Sequence, residues 1–181
     1  QISKLEIAMH AFETAIAIKP DYALAHYNIG NLLHKQGKPD KAVEAYKKAI
    51  SIEPDNVEAY YNMGNALKDQ GNLEEAIEAF NKAISIKPDY ADAYNNMGNV
   101  LKNQGKLGEA VEAYSKAISI KPDYAEAYNN MGTTLTDKGK LEEAIEAFTK
   151  ALSIQPDYDD AWNNLYFPLQ AIKCQKNSDQ S

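Results

Sequence analysis

One period governs this chain of 181 residues. Pro20, Pro54, Pro88, Pro122 and Pro156 stand 34 residues apart, and each is followed by Asp. Gly30, Gly64, Gly98 and Gly132 keep the same spacing, as do Gly37, Gly71, Gly105 and Gly139. Alanine columns run through Ala42, Ala76, Ala110 and Ala144 and through Ala49, Ala83, Ala117 and Ala151. Aromatic columns run through Phe12, Tyr46, Phe80, Tyr114 and Phe148, and through Tyr60, Tyr94, Tyr128 and Trp162 with His26 at their head. A period of this length means stacked copies of one supersecondary unit, because a lone copy cannot bury its own apolar face. Four full units cover 23–56, 57–90, 91–124 and 125–158; residues 1–22 match the second half of a unit, and 159–173 match the first half.

Each unit reads as two helices. Leu73, Ala76, Ile77, Phe80, Ala83 and Ile84 fall on one face of a helix and fit no strand. Proline cannot continue the preceding hydrogen-bond ladder, so each Pro-Asp pair closes a second helix. The Asp is expected to N-cap the next one, with an acid three residues on: Asp55/Glu58, Asp89/Asp92, Asp123/Glu126 and Asp157/Asp160. Glycines 37, 71, 105 and 139 sit where a helix end favours a left-handed residue. Gly64 or Gly98 costs roughly 1 kcal/mol in a helix interior, so its recurrence predicts close approach of a neighbour.

This pattern resembles the tetratricopeptide-repeat (TPR) family, on Tyr94-x-x-Met97-Gly98-x-x-Leu101 in a first helix, Ala110-x-x-x-Tyr114-x-x-Ala117 in a second, and the closing Pro122. The resemblance implies an all-α, right-handed TPR solenoid of stacked antiparallel helix pairs, whose first helices line a concave groove. It implies a protein-interaction scaffold in the cytoplasm, without catalysis or cofactor.

The residues agree. The sequence has no phosphate loop, nucleophile elbow or zinc-helix motif. His10, His26 and His34 are badly spaced for a metal pair, and Cys174 is the only cysteine. Net charge is −7 and all 19 basic residues are Lys, which disfavours nucleic acid because bidentate phosphate and base contacts call for Arg. No apolar run approaches the roughly 18 residues of a membrane span.

The candidate site is an asparagine ladder. Asn28, Asn62, Asn96, Asn130 and Asn164 recur in every first helix, and Asn31, Asn65 and Asn99 follow three residues later, ending in Thr133. Asn is a mediocre helix residue, so its retention needs a reason. Bonds between adjacent repeats are one; a row of amides that grips a peptide backbone is the other, since Asn offers both donor and acceptor. The resemblance favours the second, through its similarity to the asparagine ladder in the TPR arm of O-linked N-acetylglucosamine transferase. Tyr27 and Tyr61 share a column with Asn95, Asn129 and Asn163, which therefore reads as a non-core column and makes these two tyrosines ligand-contact candidates.

TPR modules that clamp the carboxylate of chaperone tails use Lys and Asn, then Asn, then Lys and Arg. The matching positions here are Tyr27, Asn31, Asn62, Asp92 and Asn96, or one unit later Tyr61, Asn65, Asn96, Glu126 and Asn130. The amides survive and the cations do not, so clamping is disfavoured. First-helix acids Glu58, Asp69, Asp92, Glu126, Asp137 and Asp160 outnumber Lys35, Lys68 and Lys102, which favours a neutral or basic ligand. With roughly 10 Å between first helices and about 3.3 Å per extended residue, the expected partner is an extended peptide of about a dozen residues.

At the ends the period breaks. Tyr166 replaces the packing glycine, Pro168 is expected to kink or end the last helix, and 174–181 reads as a polar tail, disordered from Gln175 to Ser181. Uncovered Ile2, Leu5 and Met9 predict self-association through the terminal half-repeats. A chain opening on Gln1 reads as part of a larger protein. The alternatives to a free scaffold are a substrate-recruiting arm of a larger enzyme, of glycosyltransferase or sulfotransferase type, and a structural self-assembly module.

Overall fold

A computed structural model describes residues 4–178, with side chains to 174. The chain is all-α over these residues: α1 (Lys4–Ile18), α2 (Ala23–Lys35), α3 (Pro39–Ile52), α4 (Val57–Gln70), α5 (Leu73–Ile86), α6 (Ala91–Asn103), α7 (Leu107–Ile120), α8 (Ala125–Asp137), α9 (Leu141–Ile154) and α10 (Asp159–Ser178). They form two compact units, residues 1–88 with α1 to α5 and residues 89–181 with α6 to α10. In each unit every helix packs on its sequence neighbours, and the first helices also touch, α2 on α4 in one unit and α6 on α8, α8 on α10 in the other.

Local chemistry sets the helix ends. Lys87, held extended at φ −125° and ψ 88° by the following Pro88, still donates its N–H to Ala83 O at 2.8 Å, and the ladder stops there. First helices end differently. Gly71 adopts φ 81°, and the Asn72 N–H turns back to Leu67 O at 2.9 Å, closing the helix with a six-to-one bond. The starts correct the sequence reading. Each N-cap is the residue after the Asp: Asn56, Tyr90 and Tyr124. Only Asn56 caps with its side chain, accepting from Ala59 N at 2.9 Å. Asp89 and Asp123 lie one position too early, inside the turn that Pro initiates, and the capping-box register is lost.

The core lies between the two helices of each repeat. Ala42, Ala76, Ala110 and Ala144 have no exposure, and the rings of Tyr46, Phe80, Tyr114 and Phe148 are fully buried. Those rings explain the internal glycines: a Cβ on Gly30, Gly64, Gly98 or Gly132 would lie 2.5, 2.8, 2.6 or 2.7 Å from a carbon of the ring in the same repeat. The close neighbour is a ring edge, which fixes the register of each helix pair. Trp162 departs from its column. It is 55% exposed, and its indole Nε1 donates to Pro156 O at 2.9 Å, as His26 Nε2 meets Pro20 O at 3.0 Å.

The C-terminal expectation is corrected too. Pro168 neither ends α10 nor leaves it at 173; the helix continues to Ser178. Pro168 occupies the column of Ala66, Val100 and Thr134, all fully buried, and is itself fully buried. Its ring fills a core position of the size used there before, which compensates for the one backbone bond it cannot donate. At the other end Leu5 and Met9 are half-buried, while Ile7 and Ile18 are exposed. Ile2 and residues 179–181 lie outside the described residues.

Burial has a titration consequence. Desolvation pushes the Tyr114 phenol up to about 12, with the Glu126 charge adding to it and a hydrogen bond to Thr134 opposing it, and burial raises Tyr46 likewise. A raised folded pKa means that the unfolded tyrosine ionises first, near pH 10. Stability is therefore complete below pH 10 and falls as pH rises towards 12. Absorbance at 295 nm should show both tyrosines still protonated near pH 11 in the folded chain; full ionisation there, before unfolding, would contradict this burial.

Candidate functional site

The candidate residues divide by what their amides already hold. Asn28 Nδ2 donates to Leu24 O in its own helix at 2.9 Å. Asn62 Nδ2 reaches back one repeat, to Tyr27 Oη and to Asn31 Oδ1, both at 3.0 Å. Asn130 Nδ2 donates to Asn95 Oδ1, and Asn164 Nδ2 to Asn129 Oδ1, each at 3.1 Å. These bonds span 35 residues, so the ladder stitches neighbouring first helices together. Asn31 and Asn99 accept the Tyr46 and Tyr114 hydroxyls at 2.8 Å, tying the first helix to the buried ring of its own repeat. Asn96 Oδ1 lies 3.4 Å from Asn95 Nδ2, and both Asn96 and Asn65 are engaged in interactions of their own.

The column of Tyr27 and Tyr61 is interior at Asn95 and Asn129, contrary to the sequence reading, and exposed at Asn163. Asn95 has no exposure and Asn129 has 6%. Asn95 is bonded on both sides, donating to Glu126 Oε1 at 3.1 Å while accepting from Asn130. Tyr27 and Tyr61 are half-buried, with rings tilted on Tyr46 and Phe80 at centroid distances of 6.1 and 6.0 Å. Tyr27 Oη, Asn95 Oδ1 and Asn129 Oδ1 thus serve one purpose, as acceptor for the asparagine of the next repeat.

First-helix polar and charged groups pair over the same interval. His34 Nε2 lies 2.7 Å from Asp69 Oδ2, and Lys102 Nζ lies 3.3 Å from Asp137 Oδ2 while donating to Thr133 Oγ1 at 3.0 Å. Glu126 accepts from Asn95. Three of the acids counted as ligand-facing therefore have partners in the stack. The phenol of Tyr158 is raised by burial first and then by the Glu126 and Asp160 charges.

Two niches open beside ladder asparagines, at equivalent positions three repeats apart. In residues 1–88 a depression of about 260 Å³ is lined by Asn31, His34, Lys35, Tyr46 and Asn62. In residues 89–181 the equivalents Thr133, Thr136, Asp137, Phe148 and Asn164 line one of about 360 Å³, together with Asn163 and Phe167. The sequence reading missed His34, Lys35, Thr136, Phe148 and Phe167 as niche residues. For His34, Lys35, Thr136 and Phe167 the signal was the 34-residue register followed three and four residues beyond the asparagine columns; Phe148 belongs to the aromatic column of Tyr46 and Tyr114.

Among the described residues no group of three or more His, Cys, Asp and Glu side chains could hold a metal ion, and no helix is long and apolar enough to cross a membrane.

Known proteins agree with this architecture. The TPR-repeat profile matches residues 1–37, 30–71, 64–105 and 98–136, and the tetratricopeptide-repeat profile matches 125–158. A crystal structure of MamA is similar at 33% identity and a TM-score of 0.78, over 82% of this chain and 86% of that one. MamA from Desulfovibrio magneticus RS-1, residues 41 to its end, is similar at 25% identity and a TM-score of 0.77, over 87% and 89%. Comparison with curated protein sequences gives no match. The chain belongs to the tetratricopeptide-repeat family of protein-interaction scaffolds.

Proposed function

We propose that this scaffold binds an extended, neutral or basic peptide along its first helices, that the asparagine ladder grips the peptide backbone, and that the chain does no catalysis of its own. The recurring niche carries this reading: the same half-buried recess appears beside Asn62 and beside Asn164, three repeats apart. A primary amide has two donor hydrogens and two acceptor lone pairs. The bond from Asn164 to Asn129 uses one of these four and fixes the orientation of the rest. Such pre-orientation lowers the entropy lost when a ligand binds. A helical ligand has already satisfied its backbone groups and could not use amides in this way.

Selecting dodecapeptides from a random displayed library against the chain supplies a ligand for the test. Methylating its backbone nitrogens one at a time should remove about 1 kcal/mol at each position that meets an asparagine. Tolerance of methylation at every position, or full affinity in a five-residue fragment, overturns the backbone-grip reading.

A second reading, self-association through terminal helices, is favoured by the exposure of Ile18, Trp162, Tyr166 and Leu169. Light scattering at high micromolar concentration decides it; a monomer rejects it.

A further inference from the structure

One face of α10 is turned to solvent as an ordered stripe. Asp159, Trp162, Tyr166, Leu169 and Lys173 follow one another at intervals of three, four, three and four residues, which sets them along a single side of the helix. All five are exposed, Trp162 by 55% and Tyr166 by 67%. The indole is held in that place by its bond to Pro156 O. Among the described residues neither Asp159 nor Lys173 has an ion-pair partner.

The matching stripe on α8 shows what this face does not accept. Tyr128, Gly132 and Leu135 stand where α10 has Trp162, Tyr166 and Leu169, and Gly132 receives the Phe148 ring of its own repeat. A single Cβ at Gly132 would lie 2.7 Å from that ring. Tyr166 puts a whole phenol at the same position. A second helix carrying its ring in the repeat's own register therefore cannot seat on α10, and this holds for α1 of another copy, which has Phe12 in the ring column.

The stripe is complementary to itself. Asp159 lies seven residues before Tyr166, and Lys173 lies seven after it. Lay a second α10 antiparallel, with the two-fold axis at Tyr166. Each Asp159 then meets the Lys173 of the other copy, each Trp162 lies beside the other Leu169, and the two Tyr166 rings meet on the axis. A parallel pair would set Asp159 on Asp159 and Lys173 on Lys173, so the charges at the two ends select the antiparallel arrangement.

We propose that α10 is a self-recognition helix, through which two copies of this chain pair antiparallel about Tyr166 with Asp159 on Lys173 at both ends. This rests on the self-association reading above and adds its surface, its symmetry and its limit at two copies, because an isologous contact closes on itself. The stripe spans about 21 Å of helix at 1.5 Å per residue. So short a contact makes the pair a reversible one.

The test is the molar mass by light scattering of the chain, of Lys173→Glu, of Asp159→Lys and of the two changes combined. Low ionic strength is used, where surface charges are least screened. The chain should reach the mass of two copies at high micromolar concentration and stop there. Either single change sets like charges together at both ends and should raise the dissociation constant about tenfold. The combined change exchanges the signs and should bring it back to within about threefold of the parent value. Circular dichroism should show all four proteins equally helical. Association that ignores the single changes, or is not restored by the combined one, overturns the α10 pairing and leaves self-association through another terminal surface. A mass that climbs past two copies with concentration does the same. A monomeric parent chain overturns both.

Discussion

Phe148→Ala should destabilise the α8 to α10 region by about 3–5 kcal/mol, the largest effect expected from any single change in this chain. The ring has no exposure and belongs to the cluster of Leu135, Ala144, Ala151, Ala161 and Leu165. Four of the residues buried with it are alanines, which have no rotamers with which to fill the space it leaves; Leu135, Leu152 and Leu165 can close it only in part. Gly132→Ala should act in the same direction for the opposite reason. Helix propensity favours Ala by about 1 kcal/mol. Against that, the new methyl would sit 2.7 Å from Phe148 Cε1, on a ring with no exposed side to move towards. Overpacking of about 1–3 kcal/mol then outweighs the propensity gain. Repeat arrays open segment by segment, so hydrogen exchange of the α8 and α9 amides is the appropriate measurement. A Gly132→Ala chain that melts higher than the parent, or a Phe148→Ala loss below about 1 kcal/mol, would refute ring-on-glycine packing as what holds each helix pair.

Asn95→Ala comes next, at about 2 kcal/mol. Its amide is fully buried and bonded to Glu126, to Asn130 and, at 3.4 Å, to Asn96, so truncation removes three bonds and leaves the half-buried Asn130 donor without its acceptor. Asn130→Ala should cost less than Asn95→Ala. The pair should be clearly non-additive, because both changes break the same bond. Asn28→Ala is the control: among the described residues its side chain bonds within its own helix, at Leu24 O, and a change within about 0.5 kcal/mol is expected. Chemical denaturation of the four proteins is the check. Equal stability of Asn95→Ala and Asn28→Ala would remove the inter-repeat role of the ladder.

These two results would also separate the two roles of asparagine. Asn95 and Asn129 are stack residues by burial, and their loss should be felt without any ligand. Asn164, on α10, is half-buried, with one bond to Asn129 and a niche at its side. Changes there should be felt mainly in binding.

The period of 34 residues determined the fold: helix pairs, the glycine and alanine columns, and the prolines that end second helices. All of these follow from local chemistry repeated in register, which a single chain displays directly. The tertiary structure decided which polar residues go inside. Asn95 and Tyr27 occupy one column, and nothing local distinguishes an amide sealed by the next repeat from a half-buried phenol. Each accepts from the asparagine 35 positions later, Asn62 for Tyr27 and Asn130 for Asn95, while Asn163, in the same column on α10, is exposed; the packing around the position and not the residue itself sets its burial. The same holds at the last helix. Pro168 reads locally as a helix breaker, yet the core has a place of its size in the column of Ala66, Val100 and Thr134, and packing there outweighs one lost backbone bond. Local preference sets where helices start and stop; the neighbouring repeat sets which of their faces becomes interior.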